Sequence, residues 1–233
     1  PTNYRVGWKE RFNLFKSIWH IIIIFLLMIG GIYLGFFTPT EGAAVGAAGT
    51  GIIAAFNKQF NFLSFLDVIE STAITSGMIF LVLLGAEFFN SFIALSQLPN
   101  ILAELTIKYQ LTPMIVIASI LILYILLGCL MDSLAMILLT IPVFFPLVMT
   151  LDFGMSAEET AIWFGILTLI TVEVGLITPP VGLNVFIINK MAGDVKISDT
   201  FKGVLPFLLS DFARIILLFF FPSITLVMLK IFY

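Results

Sequence analysis

The sequence predicts an all-α, polytopic membrane protein, on three observations. The first is composition: 61% of the 233 residues are hydrophobic and 11% charged, with a mean hydropathy of +1.16. A soluble domain is about 45–50% apolar and about 25% charged, and could not absorb that excess without large apolar patches in water. The second is a series of apolar runs at residues 18–37, 42–56, 70–95, 113–149, 161–189 and 204–231; a span needs about 20 such residues. The third is that two of these runs are interrupted near their middles by Gly, Pro and Asp. Irregular backbone at membrane depth is tolerated only where protein buries it or a watery cavity meets it.

Several function classes fall away. The net charge is −3 and no basic cluster is large enough for a phosphate-binding face, so nucleic acid is not a partner. Cys129 is the only cysteine, which rules out an internal disulfide and a thiolate metal site. There is no GxxxxGK[ST] phosphate loop to hydrolyse ATP. The single histidine, His20, sits at a membrane edge and completes no nucleophile set. Arg5, Lys9, Arg11 and Lys16 lead into the first run with no cleavage site behind it. Residues 1–17 therefore read as a basic cytoplasmic segment, and the chain as a piece of a longer protein.

Charge sets the topology, because Lys and Arg favour the cytoplasmic side of short loops. With the first two runs as separate spans, the basic segment, Lys58, Lys190, Lys196 and Lys202 lie inside. The outer segments hold Lys108 and the acids Asp152, Glu158 and Glu159. Fusing those runs would put Lys190, Lys196 and Lys202 outside, so two spans are expected. Thr38-Pro39-Thr40-Glu41 then falls at an outer turn and reads as a capping box with proline at the first helical position. Ser156-Ala157-Glu158-Glu159 repeats that logic. Gly42, Gly46 and Gly49 share a helix face that lets another backbone come close. Asp211 and Arg214, three apart, read as a structural ion pair, and Glu87 sits toward the outer end of its span. The resulting division is three transmembrane helices over 18–111, a hairpin over 112–149, a broken helix over 150–190 and a last helix over 191–233.

The run at 113–149 is polar only around Gly128-Cys129-Leu130-Met131-Asp132-Ser133. Each arm is about 16–17 residues, the bottom of the spanning range, so two short spans and a re-entrant hairpin both fit. An acid at such a tip costs about 2.5–3.5 kcal/mol on insertion scales unless compensated. Asp132 either caps the second arm or belongs to a binding site, and the two roles are compatible.

The run at 161–189 centres on Gly175-Leu176-Ile177-Thr178-Pro179-Pro180-Val181-Gly182. Two prolines remove two backbone donors and push Thr178 out of helical geometry. Two half-helices meeting at mid-depth are expected, with a simple proline kink as the alternative. The first half would end in partly negative carbonyls that suit a cation. The second would begin with Thr178 as its N-cap, a positive end that suits a carboxylate. Broken helices of this polarity recur in secondary transporters. Glu173 lies just before the break.

Gly35-Phe36-Phe37-Thr38-Pro39-Thr40-Glu41-Gly42-Ala43-Ala44 is followed by Gly128–Asp132, with Pro142 and Pro146 downstream, and then by Gly175-Leu176-Ile177-Thr178-Pro179-Pro180-Val181-Gly182-Leu183-Asn184. This series closely resembles the large membrane subunit of tripartite ATP-independent periplasmic (TRAP) transporters. The resemblance runs from end to end, as the second of that family's two inverted repeats. It implies an elevator-type, sodium-driven importer in a bacterial or archaeal cytoplasmic (inner) membrane. It also implies three protein partners: the N-terminal repeat of the same subunit, a small four-helix membrane subunit, and a periplasmic binding protein that delivers a C4-dicarboxylate, sialic acid or similar carboxylate. The resemblance assigns Na⁺ as the coupling ion, held by oxygens at Gly128, Gly175, Thr178 and Val181. It sets Ser133, Thr178, Pro179 and Pro180 against the substrate, with Asp132 and Glu173 as supporting acids. Two other classes compete. An intramembrane enzyme would need Asp132 and Glu173 within reach of one reacting atom, and no motif places them so. A channel would need a continuous polar lining, which these spans do not show; a purely structural membrane subunit is the remaining alternative.

Overall fold

The computed structural model describes residue 7 and residues 18–57, 61–193 and 195–232. The rest of the basic segment at 1–17, and Lys58, lie outside the described residues. The chain divides into two compact units, Pro1–Gly77 and Met78–Tyr233.

In the first unit, α1 (Trp19–Tyr33) and α2 (Pro39–Phe56) are separate helices, as the charge distribution requires. The capping box forms. Thr38 Oγ1 accepts from the Glu41 N–H at 3.3 Å, and Glu41 Oε2 accepts from the Thr38 N–H at 2.8 Å. The glycine face of α2 then lies against α1. A Cβ on Gly42 would meet Ile32 Cδ1 at 2.9 Å, one on Gly46 would collide with Met28, and one on Gly49 would reach Ile24 at 3.3 Å. As one helix ascends the other descends, so the pair is antiparallel and packed through missing side chains.

Helix α3 (Phe62–Ser96) carries the chain into the second unit. There α4 (Leu98–Lys108), α5 (Pro113–Gly128), α6 (Ser133–Met149), α7 (Ala157–Ile177), α8 (Leu183–Ala192), α9 (Ile197–Phe220) and α10 (Pro222–Phe232) follow. Among the described residues there is no strand. Helices α3, α7 and α9 are each long and apolar enough to cross a membrane. The fold is all-α and polytopic.

Two elements differ from expectation. Helix α4 occupies a stretch read as an outer loop. Its polar residues Asn100, Glu104 and Lys108 recur every four positions, which is a helical period but never an apolar run. It buries Thr106 and sets Leu102 and Ala103 against the core. The last run is two helices, because Pro222 can open a helix but not continue one.

Helix α7 is the axis of the second unit. It is mostly apolar, and Trp163, Phe164, Leu167 and Val172 are fully enclosed with Ile117 and Tyr124 of α5 and Met136 and Val148 of α6, while Leu169 and Glu173 stay exposed. Pro222 has no N–H for the carbonyl of Leu218, four residues back. The indole of Trp163 donates to that carbonyl at 2.8 Å. One buried aromatic therefore satisfies the acceptor that a proline left open, and ties α7 to the end of α9. Asp211 and Arg214 on α9 form the expected ion pair at 2.9 Å.

Candidate functional site

The site is built where two interruptions meet. The first is the turn between α5 and α6. The Leu127 carbonyl accepts from the N–H groups of Leu130 and Met131, each at 2.9 Å, and closes α5. Asp132 opens α6: its Oδ2 accepts from the N–H of Leu134 at 3.1 Å and of Ala135 at 3.5 Å. The capping role of Asp132 is thus present, and its side chain faces outward from the unit. Asp132→Ala is expected to destabilise the protein by about 0.5–2 kcal/mol, with Asp132→Asn close to wild type; thermal melts of the three proteins check this.

The second interruption follows α7. Thr178 is extended (φ −86°, ψ 135°), as a residue before proline should be. Its N–H donates to Gly175 O at 3.0 Å and its hydroxyl to Val174 O at 2.6 Å. Thr178 therefore closes α7 and does not cap α8, contrary to expectation. The Pro179–Pro180 peptide is cis, and α8 restarts only at Leu183. Its N-cap is Gly182, in the left-handed region at φ +57° where a side chain would be strained. The expected halves are also unequal, 21 residues in α7 and 10 in α8, because the Ser156–Glu159 capping box starts α7 ahead of the apolar run.

These two interruptions touch through their backbones. A Cβ built on Gly175 would lie 2.8 Å from Gly128 Cα and 3.2 Å from Ile125 O, and one on Gly128 would lie 2.9 Å from Gly175 Cα. No side chain fits on either side. The Cys129 thiol spans the same junction, 3.2 Å from Ile125 O and 3.6 Å from Pro179 O. The C-terminal ends of α5 and α7 thus come together, each carrying about half a negative charge from its terminal carbonyls. Like ends at contact repel unless a positive charge or solvent relieves them. Thr178 spends its proton on Val174 O, which leaves its oxygen lone pairs open. Among the described residues no three His, Cys, Asp or Glu side chains gather into a metal site. The oxygens at the junction are carbonyls and a hydroxyl, a set suited to a hard cation.

The structure brings Gly128, Gly175 and Thr178 together and adds Cys129, which the sequence presents only as a lone cysteine. Val181, Pro179 and Pro180 are exposed on the turn beyond Thr178, and Ser133 is half-buried at the first position of α6, beside the Asp132 cap. Glu173 is exposed on α7, between the fully enclosed Val172 and Val174.

An all-α membrane body in which interrupted helices meet end to end is an architecture of secondary transporters. The chain belongs to the family described as tripartite ATP-independent periplasmic transporter, DctM component, which it matches over residues 1–224. It is 34% identical to a sialic acid TRAP transporter permease protein of Haemophilus influenzae, over 95% of this chain and 37% of that protein. A C4-dicarboxylate TRAP transporter large permease protein of Pseudomonas aeruginosa is 31% identical, over 91% of this chain and 48% of that one. A 2,3-diketo-L-gulonate TRAP transporter large permease protein of Escherichia coli is 28% identical, over 99% and 53%. The chain therefore spans about half the length, or less, of these curated relatives. All three are named as transporter permeases, so the chain belongs with transporter subunits and not with enzymes.

Proposed function

We propose that this chain supplies the C-terminal half of a sodium-coupled importer of a small organic anion. The observation that carries the reading is the backbone contact of Gly128 with Gly175, where two helix C-termini converge beside the Thr178 hydroxyl. In this reading Na⁺ binds carbonyl oxygens at Gly128, Gly175 and Val181 together with the Thr178 oxygen, and relieves the repulsion between the two negative ends. The substrate lies against Ser133, Thr178, Pro179 and Pro180, with its anionic group at the N-terminal ends of α6 and α8. Asp132 acts as the cap that fixes the tip. The transported class is an organic acid, since the relatives are named for sialic acid, C4-dicarboxylates and 2,3-diketo-L-gulonate. The N-terminal half of the large permease, a small membrane subunit and a periplasmic binding protein complete the transporter in the inner membrane, where an elevator movement carries the site across.

Uptake of a labelled organic acid by the complete transporter in proteoliposomes tests this, with its binding protein supplied outside. Uptake should follow an inward sodium gradient and stop when choline replaces sodium; uptake indifferent to sodium would refute the coupling. Thr178→Ala removes one cation ligand and is expected to raise the sodium concentration for half-maximal uptake about tenfold, the equivalent of about 1.4 kcal/mol. Thr178→Ser should restore it.

A further inference from the structure

Several helical threonines in this chain spend their hydroxyl protons on their own backbone. Thr50, Thr72, Thr75, Thr140 and Thr178 each donate to the carbonyl four residues earlier. Thr168 and Thr171, midway along α7, are different. They are 2% and 0% exposed, and neither side-chain oxygen has a hydrogen-bond partner among the described residues. Three residues apart, they share one face of α7. Gly175 continues that face one turn on, so it looks toward α5, where Gly128 meets Gly175.

One turn back from Gly128 on α5 is Tyr124, fully enclosed. Its hydroxyl lies 2.8 Å from Thr140 Oγ1 of α6; Thr140 gives its one proton to Met136 O, so the Tyr124 proton makes the bond between them. Its oxygen still has a lone pair to offer, and Thr168 lies beside it. Helices α5 and α7 run in the same sense, since Tyr124 neighbours Thr168 and Gly128 neighbours Gly175. Thr168 and Thr171 thus keep unused protons and lone pairs on the α7 face toward α5, and the Tyr124 oxygen beside Thr168 keeps a lone pair. Buried polar groups left unpaired are costly, and native cores rarely keep them.

We infer that Thr168, Thr171 and Tyr124 bind an internal water molecule that links α7 to α5 and, through Thr140, to α6. About three hydrogen bonds are what a buried water usually makes, and the three hydroxyls can supply them. A cation fits the spot poorly. The cluster offers neutral hydroxyls, and no carboxylate joins it. Glu173 sits two residues from Thr171, is exposed, and lies on another face of α7. The water braces the helices one turn from the Gly128–Gly175 contact.

Valine is nearly isosteric with threonine, so the test changes polarity and not shape. The complete large permease, in lipid nanodiscs, would carry Thr168→Val, Thr171→Val, both together, Thr171→Ser, and Tyr124→Phe. Each single loss of a hydroxyl should lower the melting temperature of the complete permease by about 1–2 °C. The double Val variant should lose no more than the worse single one, because the water has already left, and Thr171→Ser should melt like wild type. Tyr124→Phe also loses the bond to Thr140, so it should cost more than either single Val variant. Val variants as stable as wild type, or more so, would show dry hydroxyls and overturn the proposal. Additive losses that serine does not repair would assign the effect to packing and also overturn it. A loss that appears only when sodium is present would mean the guest is a cation, which equally contradicts a water.

Discussion

Alanine at Gly175 is expected to separate the tip of the α5–α6 hairpin from the break after α7, and to abolish transport. The added Cβ would lie 2.8 Å from Gly128 Cα, with Ile125 O 3.2 Å away. Both neighbours are backbone, so no rotamer change can make room; one helix has to move. Overpacking of an enclosed site costs about 1–3 kcal/mol and occasionally more, and this contact belongs at the upper end. Gly128→Ala should do the same, since its Cβ would meet Gly175 Cα and Val172 O. The two substitutions spread one gap, so the double variant should lose less than the sum. Melting temperature and sodium-driven uptake of each variant of the complete permease check this. A Gly175→Ala protein that melts and transports like wild type would mean that the two helix ends do not touch.

The next largest effect is expected at Trp163. Removing its ring should cost about 3–5 kcal/mol in Trp163→Ala, because the indole is fully enclosed and packs edge-on against Phe153 at 5.3 Å between ring centroids. Trp163→Phe keeps most of the packing but removes the N–H and leaves the Leu218 carbonyl buried without a donor, at about 1–3 kcal/mol. The proline origin of that carbonyl suggests its own rescue. In Trp163→Phe with Pro222→Ala, the residue at 222 can donate to Leu218 O through its backbone. The double variant should therefore melt above Trp163→Phe alone. If it melts lower, Pro222 matters for ending α9 and the indole bond is incidental.

What was legible in the sequence was local. The capping boxes at Thr38–Glu41 and Ser156–Glu159 and the Asp132 cap depend on residues two or three apart, and all three form. The breaks were legible because glycine and proline act on their own backbone. The α2 glycine face was legible from its spacing, though not the Ile24–Met28–Ile32 stripe that fills it. The Gly128–Gly175 contact and the Cys129–Pro179 bridge join residues about fifty positions apart, and no spacing rule announces such a pairing. Thr178 closes α7 and does not open α8, because an N-cap needs a helix to begin at once. Here Pro179, Pro180, Val181 and Gly182 intervene, and the hydroxyl turns back to Val174. Helix α4 escaped because its polar residues interrupt every apolar run. The bond from Trp163 to Leu218 needed the position of α9, although the proline that creates its acceptor was visible throughout.

The central claim is that the joined ends of α5 and α7 hold sodium, and Cys129 reports on it. Its thiol is 4% exposed and sits between Ile125 O and Pro179 O at that junction. In the complete permease, with any other cysteines replaced, alkylation of Cys129 by a small maleimide would be timed in sodium and in choline. Sodium bound at Gly128, Gly175 and Thr178 should draw the two ends together and slow the labelling severalfold, and Thr178→Ala should remove that protection. Equal rates in sodium and choline would show that no cation binds where these helices meet.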